Sequence, residues 1–500
     1  MDSFLLTKNY RYIVILVAIF LFGLMVYMPV PEGLTDDGKK ALAIFVICVV
    51  FWTSQVIPLM ITSLLAIILF PLMGVLPADK TYSLFGNQAV FFILGAFILA
   101  SSVTRTGLSN RIALIFLKWF GHSPKILLLG VITLSAFLSF WMSEHAVAAM
   151  MFPIVVAISA SLELKPTKSN YGKALFLGMA WGCVIGGVAT FLGGARAPLA
   201  VGILRDATGE SIDFIKWALA ALPTVISLLA VTYLLLIILF PAEIKDVKRA
   251  RILLINRTAC IGKMKRDEWS IGILMIGTIF SWICFGERFG LANIALAAVV
   301  IAFVFKLLRW KEVEEDVNWG LILMYGGAIC LGSALGKTGA THWLVDITIS
   351  DSIQSPFVLI MITSLVAIFL TEAISNTAVV ALLMPITIGL AIDFSINPVI
   401  TTLALTVPSG LAFILPMGTP AVAIAYSSGF IKPVDAFKGN DTENCRMDII
   451  QFFCLFLLAN TGPWILNRIP CLPDQVFQAG ENGEGPFCIK NYIPLVEICE

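Results

Sequence analysis

The sequence predicts an all-α polytopic membrane protein with about 11 transmembrane helices and two re-entrant hairpins, arranged as two inverted repeats. Of its 500 residues, 59% are hydrophobic and only 13% are charged, and the mean hydropathy is +0.94. Soluble domains are about 45–50% apolar. Runs of 18 or more apolar residues recur along the chain, which is typical of membrane-spanning helices. A membrane β-barrel is excluded, because its strands are short alternating segments of about 10 residues.

Thirteen apolar segments are candidates for the membrane-spanning elements. They start near residues 12, 40, 58, 87, 125, 172, 216, 269, 291, 319, 355, 397 and 448. Two of them, 125–160 and 355–390, are interrupted by the polar triplets "SEH" and "SNT". Backbone that leaves the helix at membrane depth needs protein or a water-filled cavity around it. We therefore interpret these two segments as re-entrant hairpins with polar tips, which leaves eleven spans.

The distribution of basic residues predicts the orientation of the chain. With a cytoplasmic N-terminus, 23 of the 33 Lys and Arg residues fall on the cytoplasmic side, as the positive-inside rule requires. The protein is then a multi-pass protein of the cell membrane (plasma or inner membrane), and its tail, 467–500, is extracytoplasmic. An oxidising exterior favours a disulfide between Cys471 and Cys488 in that tail.

An internal repeat is visible at a constant offset of 232 residues. The offset pairs Gly95 with Gly327, for example, and it pairs "AV" at 146–147 with "AV" at 378–379. The predicted topology places the two copies on opposite sides, so the repeats are inverted, a design that places substrate sites near the midplane. The predicted units are residues 1–40 (first span and outer loop), 41–240 (first half), 241–268 (linker), 269–466 (second half) and 467–500 (tail).

The linker, 241–268, carries eight basic residues and the apolar run "ILLI". This composition is typical of an amphipathic helix that lies on the cytoplasmic membrane surface. A solvated positive loop explains the charge equally well, and the sequence does not choose between the two.

Each hairpin is followed by a segment that glycine or proline interrupts. The first, 172–204, contains "GGVATFLGGARAPLAVG" and the second, 397–429, contains "SGLAFILPMGTPAVAIAYSSG". Glycine and proline disfavour an uninterrupted helix. Unwound backbone frees carbonyls for cations, and half-helix N-termini attract anions. A simple kink is the alternative, but two breaks at matching places favour a binding site.

The motifs "SNTAVVALLMPI" (375–386) and "AFILPMGTPAVAI" (412–424) resemble the divalent anion:sodium symporter family of sodium-dicarboxylate and sodium-sulfate transporters. The segments 319–339 and 186–190 resemble it as well, so the similarity extends to about residue 466. The resemblance implies a homodimer, an elevator-type movement of hairpins and broken helices against a scaffold, and one sodium ion and one end of a dianion at each Ser-Asn-Thr tip.

Site residues follow from the resemblance position by position. Sodium binding is implied for Thr371, Asn376, the backbone of Ala373 and Gly418. Glu372 is expected to be a structural membrane carboxylate that accepts hydrogen bonds from hairpin backbone. The expected substrate-binding residues are Ser143, Glu144, His145, Arg196, Ser375, Asn376, Thr377, Thr419 and Pro420.

The first half departs from the family pattern at three of these positions. Glu144 and His145 replace the Asn and Thr of the tip, and Arg196 follows the glycines of the unwound segment. A charged residue at membrane depth is costly and is normally paired. We expect Arg196 to pair with Glu144, in a bidentate geometry, so that fixed protein charge replaces the first sodium ion. A structural salt bridge without a transport role is the alternative.

The resulting prediction is a secondary active transporter of small divalent anions, most of all dicarboxylates, with sodium as the coupling ion at the second-half site. Transport of sulfate, and a proton-coupled or exchange mechanism, are alternatives. A cation antiporter of the wider ion transporter superfamily is an alternative of another class. The sequence has no nucleophile–base set or metal-ligand cluster, so we expect neither an enzyme nor a cofactor, and nothing in it indicates nucleic-acid binding.

Overall fold

A computed structural model describes residues 2–431, apart from residues 167, 349–355, 395, 416 and 417. This part of the chain is entirely helical and contains no strand, which confirms the predicted fold class of a polytopic α-helical membrane protein. The last predicted span, the tail and the predicted Cys471–Cys488 disulfide lie outside the described residues.

The described residues form twenty-one α-helices and one 3₁₀ turn. The first half contains the following helices: α1 (Asp2–Tyr27), α2 (Asp36–Ser54), α3 (Leu59–Leu72), α4 (Ala78–Phe85), α5 (Gln88–Arg105), α6 (Leu108–Phe120), α7 (Pro124–Ser139), α8 (Glu144–Ser161), α9 (Asn170–Gly186), α10 (Arg196–Thr208) and α11 (Phe214–Leu239). The linker and second half contain these: α12 (Lys248–Ile261), α13 (Arg266–Phe289), α14 (Leu291–Val304), α15 (Trp310–Asp316), α16 (Trp319–Lys337), α17 (Ala340–Thr348), α18 (Pro356–Ala373), α19 (Asn376–Asp393), α20 (Pro398–Thr406) and α21 (Pro420–Ser427).

Each of the ten predicted spans within the described residues contains a helix. Seven helical stretches there are long and apolar enough to cross a membrane, and five more apolar helices are shorter. The shorter helices include α7, α18 and α20, which belong to segments that the sequence predicts to be broken. Helices that stop at membrane depth do not need a full span of about 20 residues.

Both polar triplets interrupt a helix. The first break separates α7 from α8 at residues 140–143, and the second separates α18 from α19 at residues 374–375. The two arms of each hairpin pack against each other. The bounds of the arms differ from the predicted segments by three residues or fewer.

The two interrupted segments also leave the helix. Residues 187–195 separate α9 from α10, and a 3₁₀ turn, Pro408–Gly410, follows α20 before α21 begins. The helices after these breaks pack on the opposite half: α10 packs on α19 and α20, whereas α21 packs on α8 and α9. Consequently each unwound segment leads into a helix that packs on the hairpin of the other half.

One contact joins two positions that are 232 residues apart. The Trp181 indole Nε1 donates a hydrogen bond to the carbonyl of Phe413 (3.1 Å), and the two rings meet edge to face with centroids 6.0 Å apart. Contact between repeat-equivalent residues is expected where an axis that relates two halves passes through the molecule. Both side chains are almost fully buried, so this contact lies in the core.

The linker between the halves forms α12, which packs on α6 and α8. A buried ion pair fixes its C-terminal end: Arg111 Nη2 lies 2.9 Å from Glu268 Oε2. Arg111 also donates to the carbonyls of Gly262 (2.8 Å) and Lys263 (3.1 Å), immediately after α12. The segment is therefore a helix attached to the first half rather than an irregular loop.

Candidate substrate and cation site

The two hairpin tips have the same local geometry. Ser143 precedes α8 with φ −61° and ψ 141°, and Ser375 precedes α19 with φ −63° and ψ 142°. Each serine hydroxyl accepts a hydrogen bond from a backbone N–H three residues later, at Ala146 (3.4 Å) and Ala378 (3.3 Å). Serine is favoured as an N-cap because its oxygen satisfies such an orphan N–H. The tips are therefore two equivalent helix N-termini.

A glycine of each unwound segment packs on the hairpin of its own half, close to the tip. A Cβ at Gly193 would lie 2.6 Å from the Ser139 carbonyl oxygen, and one at Gly418 would lie 2.5 Å from that of Thr371. Ser139 and Thr371 are repeat-equivalent, being 232 residues apart. Since no side chain fits at these distances, glycine is required at both contacts. The Gly193 carbonyl also accepts a hydrogen bond from the backbone N–H of Glu144 (3.0 Å).

Three oxygen atoms gather at the second tip. The Thr371 hydroxyl lies 2.6 Å from Asn376 Oδ1 and 2.6 Å from the Ser409 carbonyl oxygen. A hydroxyl has one proton, so it cannot donate to both acceptors at once. Buried oxygen ligands that include a carbonyl of unwound backbone are suited to a small hard cation. Sequence reasoning predicted Thr371 and Asn376 here but missed Ser409; the "PSG" triplet was the available signal, because proline and glycine expose carbonyls.

Glu372, beside this oxygen cluster, fixes the unwound segment. Its carboxylate accepts hydrogen bonds from the backbone N–H groups of Phe413 (2.8 Å), Ile414 (3.1 Å) and Leu415 (2.8 Å). These donors belong to the stretch after the 3₁₀ turn, whereas the sequence predicted donors in the hairpin backbone. A helix break leaves backbone N–H groups unpaired. A buried carboxylate that accepts three of them satisfies these donors and also its own oxygen atoms.

The remaining predicted residues of the second half lie around the same tip. Thr377, in the first turn of α19, is buried. Thr419 is buried and caps α21, its hydroxyl accepting from the N–H of Val422 (3.4 Å). Pro420 occupies the first position of α21, where proline is tolerated, and has an exposed side chain. Ala373, at the end of α18, is exposed as well.

The first tip holds charged groups instead of neutral oxygens. Glu144 and Arg196 are buried, with 1% and 3% of their surfaces exposed. Arg196 Nη1 lies 3.4 Å from Glu144 Oε2, and His145 Nδ1 lies 3.8 Å from Glu144 Oε1. Among the described residues, Arg196 Nη2 has no hydrogen-bond partner. The expected bidentate geometry is therefore wrong: a single long contact joins the pair.

The path of the Arg196 side chain explains this geometry. The guanidinium group lies against the backbone of Gly194 and of Gly410, and a Cβ at either glycine would collide with it. Gly410 belongs to the 3₁₀ turn of the second half, next to Ser409. Because the side chain reaches across to this turn, only one of its nitrogens faces Glu144. The Arg196 guanidinium thus packs on the residue that follows Ser409, whose carbonyl belongs to the oxygen cluster of the second tip.

Two further polar residues at the first tip were missed by sequence reasoning. Ser139, the counterpart of Thr371, has a buried hydroxyl without a hydrogen-bond partner among the described residues, and so has Tyr325 in α16. Tyr325 is close enough to Arg196 for the two groups to interact electrostatically. An unsatisfied buried donor costs about 1–3 kcal/mol, so a water molecule or a ligand is expected to complete these hydroxyls. The offset of 232 could have identified Ser139; nothing in the sequence indicated Tyr325.

The composition of the chain, its two equivalent breaks and its oxygen cluster agree with its similarity to known proteins. The model of the sodium:sulfate symporter transmembrane region matches residues 7–459. The chain is a member of this family. The resemblance to divalent anion:sodium symporters is thereby confirmed, and the protein is a multi-pass membrane transporter rather than an enzyme.

Similar proteins include two curated relatives, both sodium-dependent dicarboxylate transporters named SdcS. The protein from Staphylococcus saprophyticus is 31% identical over 437 residues, which cover 82% of this chain and 84% of that one. The protein from Staphylococcus aureus (strain bovine RF122) is 29% identical over 441 residues, with 83% and 84% covered. A solved structure, MtrF of Neisseria gonorrhoeae, aligns with a TM-score of 0.53 at 12% identity, covering 91% of this chain and 94% of that one. This last similarity concerns the fold alone.

Proposed function

We propose that the protein is a secondary active transporter that moves a small dicarboxylate together with at least one sodium ion. The names of the SdcS relatives support both the substrate and the coupling ion. The observation that carries the proposal is the oxygen cluster of Thr371, Asn376 and Ser409, where two acceptors lie 2.6 Å from one hydroxyl. A sodium ion bound there would be transported as a co-substrate.

The anion has suitable donors beside this cation. The N-termini of α19 and α21 present Ser375, Asn376, Thr377, Thr419 and Pro420, and a helix N-terminus carries a partial positive charge. A sodium ion at the oxygen cluster adds a full charge nearby. Cation and anion would therefore bind cooperatively, since each lowers the electrostatic cost of holding the other in a low-dielectric interior.

At the first tip, we infer that Arg196 takes the place of the sodium ion that the family resemblance implies there. A guanidinium does not lose its proton in proteins, so its charge remains on the carrier in every state. Glu144 neutralises it in part, through a single contact of 3.4 Å. His145, with 45% of its side chain exposed, is available to the anion or to protons. Its ring would make the charge of this tip dependent on pH.

This fixed charge favours anion exchange over net transport. Moving an empty carrier requires the charged first tip to cross the barrier without its anion, whereas a loaded carrier is closer to neutral. Net transport survives to the extent that Glu144 compensates Arg196 in the empty state. The proton-coupled alternative differs in that a proton, taken up near Glu144 or His145, accompanies the anion.

Four further properties are proposed from the resemblance and the sequence. These are a homodimeric assembly, an elevator-type movement, the inverted relation of the two halves and a cytoplasmic N-terminus. Light scattering of the detergent-solubilised protein tests the dimer. Labelling of single cysteines placed on either side of the membrane tests the orientation and the inversion together.

The function is tested by uptake into proteoliposomes that contain the purified protein. Labelled succinate and labelled sulfate are compared, each with and without an inward sodium gradient, with a pH gradient, and with the unlabelled anion inside. We expect succinate uptake that sodium stimulates and that internal succinate accelerates. Uptake of sulfate but not succinate would identify an inorganic anion as the substrate. Sodium-independent uptake that follows the pH gradient would favour proton coupling. Absence of uptake of both anions under all conditions would contradict the proposal.

A further inference from the structure

Helices α6 and α12 form a surface layer beside the first hairpin. Helix α12 packs on α6 and α8 through Ala250 and Leu254, both fully buried. The Thr258 hydroxyl also reaches the Leu114 carbonyl of α6 (3.5 Å). The opposite face of α12 is uncovered. We call the outward face of these two helices the α6–α12 surface.

Apolar side chains point outward from this surface. Ile252 is 58% exposed, and Ile255, three residues further along α12, is exposed as well. At the end of α6, Trp119 is 67% exposed and Ile115 is partly exposed beside it. Residues spaced by three or four share one face of a helix, so these side chains form outward patches on both helices. In water, such patches would be unfavourable.

The same surface carries a net positive charge. The segment 241–268 contains eight basic and four acidic residues. One of the acids, Glu268, is buried and paired with Arg111 (2.9 Å), and another, Glu243, accepts the backbone N–H of Tyr171 (2.9 Å). By contrast, Lys248 and Arg251 are exposed and flank Ile252 on the helix. Basic groups therefore border the exposed apolar residues.

We propose that the α6–α12 surface binds the headgroup layer of a membrane that contains anionic phospholipid. Apolar side chains that enter the acyl boundary, flanked by basic side chains that contact phosphates, are the features of an interfacial amphipathic helix. The surface also continues into the lipid-facing part of α13, where Trp269 and Ile273 are exposed in the first two turns. Exposed tryptophans at Trp119 and Trp269 match the aromatic belt at the edge of a bilayer.

Lipid on this surface acts on the helix that carries the first tip. Arg249, in the first turn of α12, forms an ion pair with Glu163, just beyond the end of α8. Helix α8 begins at Glu144. An exposed ion pair of this kind contributes little in water, so anionic phosphates can replace Glu163 as the partner of Arg249. Binding of anionic lipid therefore changes how α12 is joined to the first hairpin.

The test is lipid binding by the purified full chain in detergent, measured as energy transfer from tryptophan to dansyl-phosphatidylglycerol. A double variant, Lys248→Gln with Arg251→Gln, removes two exposed charges. We expect its Kd for the anionic lipid to rise about 25-fold, with the largest difference at low salt. The matched control, Lys80→Gln with Lys337→Gln, also removes two exposed basic residues and is expected to bind like the wild type.

A second variant keeps the inference testable if the first does not fold. Ile252→Ser with Ile255→Ser leaves all charges in place and removes apolar contact, and we expect weaker binding of the lipid. Equal binding of dansyl-phosphatidylcholine would overturn the proposal, as would equal affinity of the wild type and the basic variant. Full displacement of the lipid by soluble inositol hexakisphosphate would show a polyanion site instead. Since no transport is measured, failure here is distinct from failure of the proposed function.

Discussion

The break between α18 and α19 and the break between α7 and α8 share one backbone frame but hold different groups. Each has a serine N-cap and a glycine pressed on a carbonyl in the last turn of the preceding arm. Neutral oxygens of Thr371, Asn376 and Ser409 gather at the second break, whereas Glu144 and Arg196 meet at the first. The frame therefore does not dictate whether neutral or charged groups gather at it.

The difference between the two tips concerns how charge enters and leaves. The sodium ion proposed for the second tip would be free to dissociate, so its presence would follow the sodium concentration. Arg196 is covalently attached and keeps its charge. In a carrier with one tip of each kind, the sodium dependence of transport should come from the second tip. Its dependence on pH and on the exchanged anion should come from the first. The following predictions test this division, starting with the largest effect.

Breaking the buried pair should have the largest effect. Arg196→Leu leaves the Glu144 carboxylate buried without its cation, and we expect a loss of stability of about 3–5 kcal/mol. Combining Arg196→Leu with Glu144→Gln removes both charges and should restore most of that loss. Thermal unfolding of the purified proteins in detergent measures both. Equal stability of the single variant and the wild type would mean that Glu144 is protonated or solvated.

Removing the hydroxyl at the second tip should reduce sodium dependence. Thr371→Val keeps the shape of the side chain but removes one oxygen of the cluster, and we expect the sodium concentration for half-maximal uptake to rise about 10- to 100-fold. Ser139→Ala is the matched control, because Ser139 is the repeat-equivalent residue and its hydroxyl has no partner among the described residues. A similar sodium shift in both variants would place a sodium ion at the first tip too.

The dependence on pH should belong to the first tip. A neutral imidazole gains a proton as the pH falls, and a positive His145 next to Arg196 should then strengthen anion binding. We expect KM to decrease by up to about fivefold, since a charge at about 4 Å in water-like surroundings is worth about 1 kcal/mol. The measurement is KM against pH, with the substrate concentration given as that of the dianion, so that protonation of the substrate itself does not contribute.

Two matched variants sharpen this pH experiment. Glu144→Asn with His145→Thr recreates a neutral tip and should flatten the profile, at a cost in activity because Arg196 is then unpaired. Adding Arg196→Ala should restore part of that activity. If the wild type and both variants share one pH profile, Glu144, His145 and Arg196 form a structural group only.

The smallest predicted effect concerns a surface ion pair between the halves. Arg105, at the end of α5, contacts Asp316 (2.6 Å) at the end of α15 and lowers the pKa of that carboxyl below its usual value. A carboxyl whose pKa is lowered by folding stabilises the fold at pH values above its pKa in the unfolded state. This stabilisation is lost as the pH falls through the lowered pKa of the folded state. Asp316→Asn should cost less than about 1 kcal/mol at neutral pH, because exposed pairs are weak.

The pH dependence of stability checks this last prediction. The difference between Asp316→Asn and the wild type should be constant near neutral pH and should shrink as the pH falls below the ordinary pKa of an aspartic acid, as followed by thermal unfolding. Lys337→Gln is the control, since Lys337 is the repeat-equivalent of Arg105 and forms no ion pair with another described residue. A pH-independent difference would mean that Asp316 acts through packing or through its bond to Ser101 (2.6 Å).

The sequence by itself determined the membrane class, the two breaks and the pairs of equivalent positions. Long apolar runs admit few folds in a bilayer, because every backbone group must be satisfied within the protein. Glu144 and Arg196 were predicted to meet, since two lone charges at membrane depth need each other. The offset of 232 also placed Asn376 opposite Glu144 in the repeat, which is why the difference between the tips was visible without a structure.

Only the tertiary structure decided which groups complete each tip and in what geometry. Ser409 and Gly410 reach the tips through a 3₁₀ turn, and the single long contact of Arg196 follows from its path over Gly410. Tyr325 approaches Arg196 from α16, more than a hundred residues away along the chain. The two approaches of Arg196 join segments of different halves, and their distances depend on how α10 packs on α16, α19 and α20. The Ser409 contact joins two segments of the second half that are 38 residues apart. A local sequence pattern carries information about neighbours along the chain, but not about such crossings.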